Sequence, residues 1–180
     1  MASMAAAVSI GATVAACSSS SGGAGSGTAS VTGTIQGAAV PASDAVGLSS
    51  VASGGSEAAV GAIITNVASA CTVLQDHGNP PGATALIVAV SAMGGSVATG
   101  TYAVVTQGFG ATASYATQDA TCNTSFSENA SGGSVTLTTV SGSTVAGTFD
   151  LTFGSDHLTG SFSAPICSYA PADGGATACQ

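Results

Sequence analysis

No lysine, no arginine and no tryptophan occur among the 180 residues of the chain. A protein without cations cannot neutralise phosphates and release their counterions, which excludes nucleic acid as a partner. An anionic lipid surface finds no basic patch to attract. Schiff-base chemistry needs a lysine, and two-pronged capture of a carboxylate or phosphate needs an arginine, so both are excluded. Eight Asp and Glu leave a formal net charge of −8, yet charged residues make up only 4% of the chain. That is far below the ~25% of an average soluble protein and too few acids for halophilic adaptation. Ion pairs with Lys or Arg cannot form, so stability must rest on burial, backbone hydrogen bonds and covalent links.

Other absences narrow the chemistry. No Cys-x-x-Cys pair occurs, which argues against a zinc ribbon or a dithiol redox site. No Gly-x-Ser-x-Gly elbow exposes a nucleophile. No glycine-rich loop precedes a lysine, and no Asp-x-Asp-x-Asp loop offers oxygens to calcium. No cofactor is expected. Five Phe and three Tyr are too few for the aromatic girdles of a transmembrane barrel. The apolar 45% is mostly Ala and Val, and such a core buries little area per residue.

What is present begins with an apolar run, Met4–Ala16. It is too short to span a bilayer, which takes about 20 residues, but it suits the h-region of a secretory signal. The run ends in Val14-Ala15-Ala16-Cys17, which resembles the lipobox of bacterial lipoprotein precursors: an aliphatic residue, two small ones, then cysteine. The resemblance implies cleavage before Cys17, lipidation of its thiol and attachment to a membrane through that lipid. Ser18 beside it implies the outer membrane rather than the inner one. The absence of a basic n-region departs from the family's pattern, and an Ala-rich tail with a chance cysteine is the alternative. Ser18–Ser30, rich in Ser, Gly, Ala and Thr, reads as a tether that buries no core. The expected division is a signal peptide over 1–16, a tether over 17–29, a β-rich domain over 30–168 and a tail over 169–180.

Setting Cys17 aside leaves Cys71, Cys122, Cys167 and Cys179. An even number in an exported chain favours two disulfides. Three connectivities are open. Because Cys122 and Cys167 both follow strand-like segments, the leaning is Cys122–Cys167 with Cys71–Cys179.

Along the chain, Val31, Gly33 and Ile35 alternate with Thr32, Thr34 and Gln36, the period of a strand with one solvated face. Val46–Val51 and Val60–Thr65 are short strands around the Gly54-Gly55-Ser56 turn signal. Asn66–His77 is expected to be helical, with Asn66 as N-cap, Gly78 at the C-terminal cap and Pro80-Pro81 preventing continuation. The uninterrupted apolar run Ala85–Met93 predicts a strand buried on both faces. Thr101–Thr106 and Ala111–Thr117 add two strands around Gly108-Phe109-Gly110. The clearest pattern comes last. Val135, Leu137 and Thr139 alternate with Thr136 and Thr138. Val145, Gly147, Phe149, Leu151 and Phe153 alternate with Ala146, Thr148, Asp150 and Thr152. After a turn at Gly154–His157 come Leu158, Gly160, Phe162 and Ala164. This is a β-meander with one apolar face and one Ser/Thr face. The stretch Gly147–Cys167 is similar to the tails of uncharacterised bacterial surface lipoproteins, which implies a β-rich extracellular domain and no particular activity. The fold expected is mostly β: an antiparallel sandwich or open barrel-like domain with one short helix and a C-terminal meander.

Catalysis has few footholds. Each histidine follows an aspartate, in Asp76-His77 and Asp156-His157, but a triad is set by spatial geometry rather than adjacency. His157 is read as a solvated turn residue and His77 as a helix-end residue. Asp119, Glu128, Asp150 and Asp156 are the carboxylates available for glycoside hydrolysis, and no Trp is present to stack a sugar ring. Asn123-Thr124-Ser125 and Asn129-Ala130-Ser131 match glycosylation sequons but read as ordinary loop sequence in this setting. No catalytic and no metal-ligating residue is assigned. The expectation is a non-enzymatic, lipid-anchored envelope protein with a structural or ligand-binding β-domain and an unknown envelope or extracellular ligand. An envelope metal-binding protein using the two Asp-His pairs and a small hydrolase are the alternatives.

Overall fold

The computed structural model describes residues 26–51, 57–168 and 179. The signal-like run, the lipobox and Cys17 lie outside the described residues, as does the tail beyond Ser168 apart from Cys179.

Alternating sequence becomes two antiparallel sheets packed face to face. The first consists of β1 (Thr28–Ile35), β2 (Ala38–Ala39), β6 (Gly100–Ala103), β9 (Gly132–Val140), β10 (Thr144–Phe153) and β11 (Asp156–Pro165), in the order β2-β1-β11-β10-β9-β6. The second consists of β3 (Asp44–Val51), β4 (Glu57–Thr65), β5 (Thr84–Met93), β7 (Gly110–Gln118) and β8 (Thr124–Asn129), in the order β3-β4-β5-β7-β8. One short helix, α1 (Ala70–Gln75), lies between β4 and β5. The architecture is a β-sandwich rather than a closed barrel. Strand β1 begins at Thr28, ahead of the expected domain boundary at 30.

The meander forms as its alternation requires. Val145, Phe149, Leu151 and Phe153 are buried from β10, and Leu158, Phe162 and Ala164 from β11. Gly154, at φ 57, opens the two-residue loop that pairs Phe153 with Asp156, the position a hairpin turn reserves for glycine. His157 is therefore not in the turn. It sits in β11 opposite Thr152, because the loop is shorter than the polar run Gly154–His157 suggests. Phe149 lies opposite Gly160, and a Cβ there would come within 2.4 Å of its ring. The missing side chain is what gives the ring its place. On the outward face, hydroxyls form a row across five strands, Ser30, Ser161, Thr148, Thr136 and Thr101. Ser30 and Ser161 meet at 2.9 Å, as do Thr101 and Thr136.

The second sheet contributes Ala62 and Ile64 from β4, Leu86, Val88 and Val90 from β5, and Ala113 and Tyr115 from β7 to the same core. Burying each large aliphatic side chain stabilises by roughly 1.5–3 kcal/mol. Strand β5 is not buried on both faces. Leu86, Val88 and Val90 point inward, while Ile87 is 37% exposed on the other side. The strand buried on both faces is the first half of β3, where Asp44–Gly47 are all covered. Although β3 is an edge, Ile166 bridges to Gly47 and the Cys167 N–H donates to the Gly47 carbonyl at 2.8 Å. This protects an otherwise open strand edge.

Candidate functional site

Outside the core, α1 and the Gly78–Ala83 loop roof the outward face of the second sheet. Helix α1 does not begin where expected. Asn66 is not its N-cap: the side chain accepts from the Thr84 N–H at 2.8 Å and donates to the Gly82 carbonyl at 3.0 Å, tying down the end of the loop. The N-cap is Ser69, in a left-handed conformation with no side-chain capping bond. The first helical N–H, that of Ala70, is taken instead by Asp44 Oδ2 at 2.8 Å, from another element. Asp44 Oδ1 accepts from Ala45 and Gly27 at 2.7 and 2.9 Å. A carboxylate only 2% exposed is thus held by three backbone N–H groups, the donors left to a chain that has no Lys or Arg. Charge at that end also suits the helix dipole.

The C-terminal end is capped differently from expectation as well. His77, not Gly78, takes the left-handed position, with φ 53. Its N–H reaches the Leu74 carbonyl at 3.2 Å and that of Gly78 reaches Val73 at 2.8 Å, the bond pair of a Schellman motif.

Both disulfides converge on this roof. Cys71 pairs with Cys167 and Cys122 with Cys179, which corrects the leaning towards Cys122–Cys167 and Cys71–Cys179. Cys167 follows β11 at the seam between the sheets, beside β3, and α1 packs on β3. Cys71, Cys167, Ala70 and Val46 form a small buried cluster with Ile63 and Leu74 against it. Cys122 stands in the loop after β7, with its Sγ 3.0 Å from the Asn79 carbonyl oxygen. Cys179 bridges to the same Asn79. Asp119 shapes that loop: Oδ1 accepts from the Thr121 N–H and hydroxyl at 2.8 and 2.7 Å and from the Asn123 N–H at 3.0 Å. The Thr121 hydroxyl and then these N–H groups hold its carboxyl below the usual carboxylate range.

Roof and sheet flank a half-open cleft of ≈ 210 Å³. Its floor is Val46, Ile63, Thr65, Ala85, Ile87 and Ala116. Ala70, Val73 and Leu74 of α1 form one wall, and Asn79, Pro80 and Ala83 of the loop another. Gln118 and Thr124 stand at the side of β7 and β8. The lining carries no charged side chain and no aromatic ring. It does carry two residues with buried, unpartnered oxygens, Thr84 Oγ1 and Gln118 Oε1. Gln118 shares the outward side of β7 with Ala116, whereas Thr84 belongs to the inward row of β5. Nothing in the sequence marks Gln118 or Asp44 as special: one ends a strand, the other follows the Pro41 break.

The histidines lie apart from the cleft's chemistry and from each other. His157 Nε2 meets Asp150 Oδ1 at 2.8 Å, with both side chains more than half exposed, on the outward face of the first sheet. His77 ends α1, on the outward side of the second. Asp156 is not the partner of His157; its Oδ2 accepts from the Gln36 N–H at 2.7 Å. Among the described residues no group of three or more His, Cys, Asp or Glu is placed to hold a metal ion. Asp119 is engaged in its own loop, and Glu128 sits on β8. The structure does not gather the four candidate carboxylates into one cleft.

Comparison with protein-family models, with curated proteins and with solved structures yields no match. Two disulfides fit an oxidising, exported setting. Among the described residues, no helix is long and apolar enough to cross a membrane.

Proposed function

We propose that the chain is a lipid-anchored envelope protein whose β-sandwich binds a small ligand in the cleft beneath α1. The observation that carries the binding half is the placement of the disulfides. Both secure the roof of one uncharged cleft, while the large core is held without any. Ligand sites are mostly apolar concavities with a few polar groups that orient the guest, and this cleft has that character. Binding is the role proposed for this cleft, because its uncharged and mostly apolar lining suits holding a neutral guest.

The anchoring half rests on Val14-Ala15-Ala16-Cys17. The other four cysteines pair among themselves, which leaves Cys17 outside the disulfide framework and available to lipid. Stable anchoring takes more than one acyl chain, as the lipobox pathway supplies. The outer membrane or cell surface is the proposed address. In the native host the protein should fractionate with membranes and carry a lipid mass on Cys17, and Cys17→Ser should abolish both. Equal membrane association of the variant, with no lipid on the wild type, would refute the anchor. For the binding half, amide shifts confined to α1, the Gly78–Ala83 loop and the ends of β5 and β7 are expected on adding small neutral rings. Their absence with every probe would refute it.

A further inference from the structure

We infer that the cleft's ligand is an uncharged, ring-sized apolar molecule bearing one hydrogen-bond donor, oriented by Gln118; this rests on the cleft being a binding site. Size comes first. An apolar cavity of about 150 Å³ takes one benzene, so ≈ 210 Å³ suits a fused two-ring body. Charge comes second. An anion would meet no Lys or Arg anywhere in the chain and would be opposed by its net charge of −8. A cation would meet no carboxylate in the lining, and burying an unpaired charge is costly. Polarity comes third. Gln118 Oε1 is buried without a donor, and its amide turns on a terminal torsion that is broad. Rotation about it would turn the oxygen towards the cleft that Gln118 lines, where a ligand N–H or O–H would supply the missing partner. The absence of aromatic side chains from the lining means that the ring is held by Val, Ile, Leu and Ala contacts rather than by stacking.

The test titrates the oxidised full-length chain with indole, following the probe's own fluorescence, which no tryptophan of the chain obscures. 1-Methylindole, lacking the donor, and benzoate and benzylamine, carrying charge, complete the set. Indole should bind with a sub-millimolar Kd, 1-methylindole about tenfold more weakly, the worth of one net hydrogen bond, and the two ions not measurably. Gln118→Leu should erase the difference between indole and 1-methylindole while retaining both, and Ala116→Leu, which fills the floor, should abolish both. Equal binding of indole and 1-methylindole to the wild type, or tighter binding of either ion, would overturn the ligand class and leave the cleft reading standing. No binding by any probe, or binding that survives Ala116→Leu, would overturn both.

Discussion

On its inner face the second sheet presents Ile64, Leu86, Val88 and Val90 to a core that contains no cysteine. On its outer face the same strands present Ile63, Ala85 and Ile87 to a cleft whose roof is held by two disulfides and a buried carboxylate. The inner side follows from strand alternation alone and is stabilised by the area it buries. The outer side has a six-residue helix, too short to be stable by itself, and a loop with two prolines. Neither buries enough apolar surface to stay in place unaided. Covalent links and buried hydrogen bonds therefore concentrate where hydrophobic burial is weakest. A side of the molecule maintained by such means, around a neutral cleft, is the basis of the binding proposal.

The comparison can be broken most forcefully from the core. Phe149→Ala removes the ring seated over Gly160 and should cost about 3–5 kcal/mol, lowering the urea midpoint for core and roof probes together. Next is the roof. Cys71→Ala combined with Cys167→Ala should cost about 2–5 kcal/mol, with amide probes of α1 responding before those of β9–β11. Asp44→Asn keeps the shape but replaces one accepting oxygen by an NH2, so that the amide keeps at most the bonds to one oxygen and leaves a buried backbone N–H without its acceptor. A loss of about 2 kcal/mol is expected in denaturant titration, and an unchanged midpoint would show that the carboxylate is not a structural anchor.

How far such sites were legible in the sequence differs between the two sides. Phe149, Leu151 and Phe153 alternate with Asp150 and Thr152, so the meander and its buried face could be read directly. The run Ala85–Met93 was misleading for a physical reason: Ala85 and Ile87 are apolar because they floor a cleft, not because a second layer buries them. Asn66 carried the chemistry of a helix cap and used it on Gly82 and Thr84 instead, a choice made by tertiary contact. The disulfide pattern depends on the segment after β11 lying beside β3 and α1, and on Asn79 lying beside both Cys122 and Cys179. No spacing in the sequence records either placement. Gln118 was invisible because a polar residue at a strand end is ordinary until its oxygen is found buried without a partner.

Smaller effects sharpen the same contrast. Thr84→Val removes a buried hydroxyl that has no partner and should stabilise the ligand-free protein by about 1 kcal/mol. A rise in the thermal midpoint checks this. The smallest effect is acidic. The Asp119 carboxyl is held below its ordinary value, so its contribution is fully present above about pH 4, the unfolded value, and is lost as pH falls through the lower folded one. Asp119 is fully exposed, so the effect is confined to its loop. The thermal midpoint advantage of wild type over Asp119→Asn should shrink below that pH, and a constant difference would contradict the assignment.

The claim that the roof is a separate unit held by its disulfides, on a core that stands without them, is tested most directly by native-state hydrogen exchange with and without reductant. Amides of α1 and the Gly82–Thr84 stretch should lose most of their protection on reduction while Phe149, Leu151 and Leu158 retain most of theirs. A fall by the same factor at both sets of amides would contradict it.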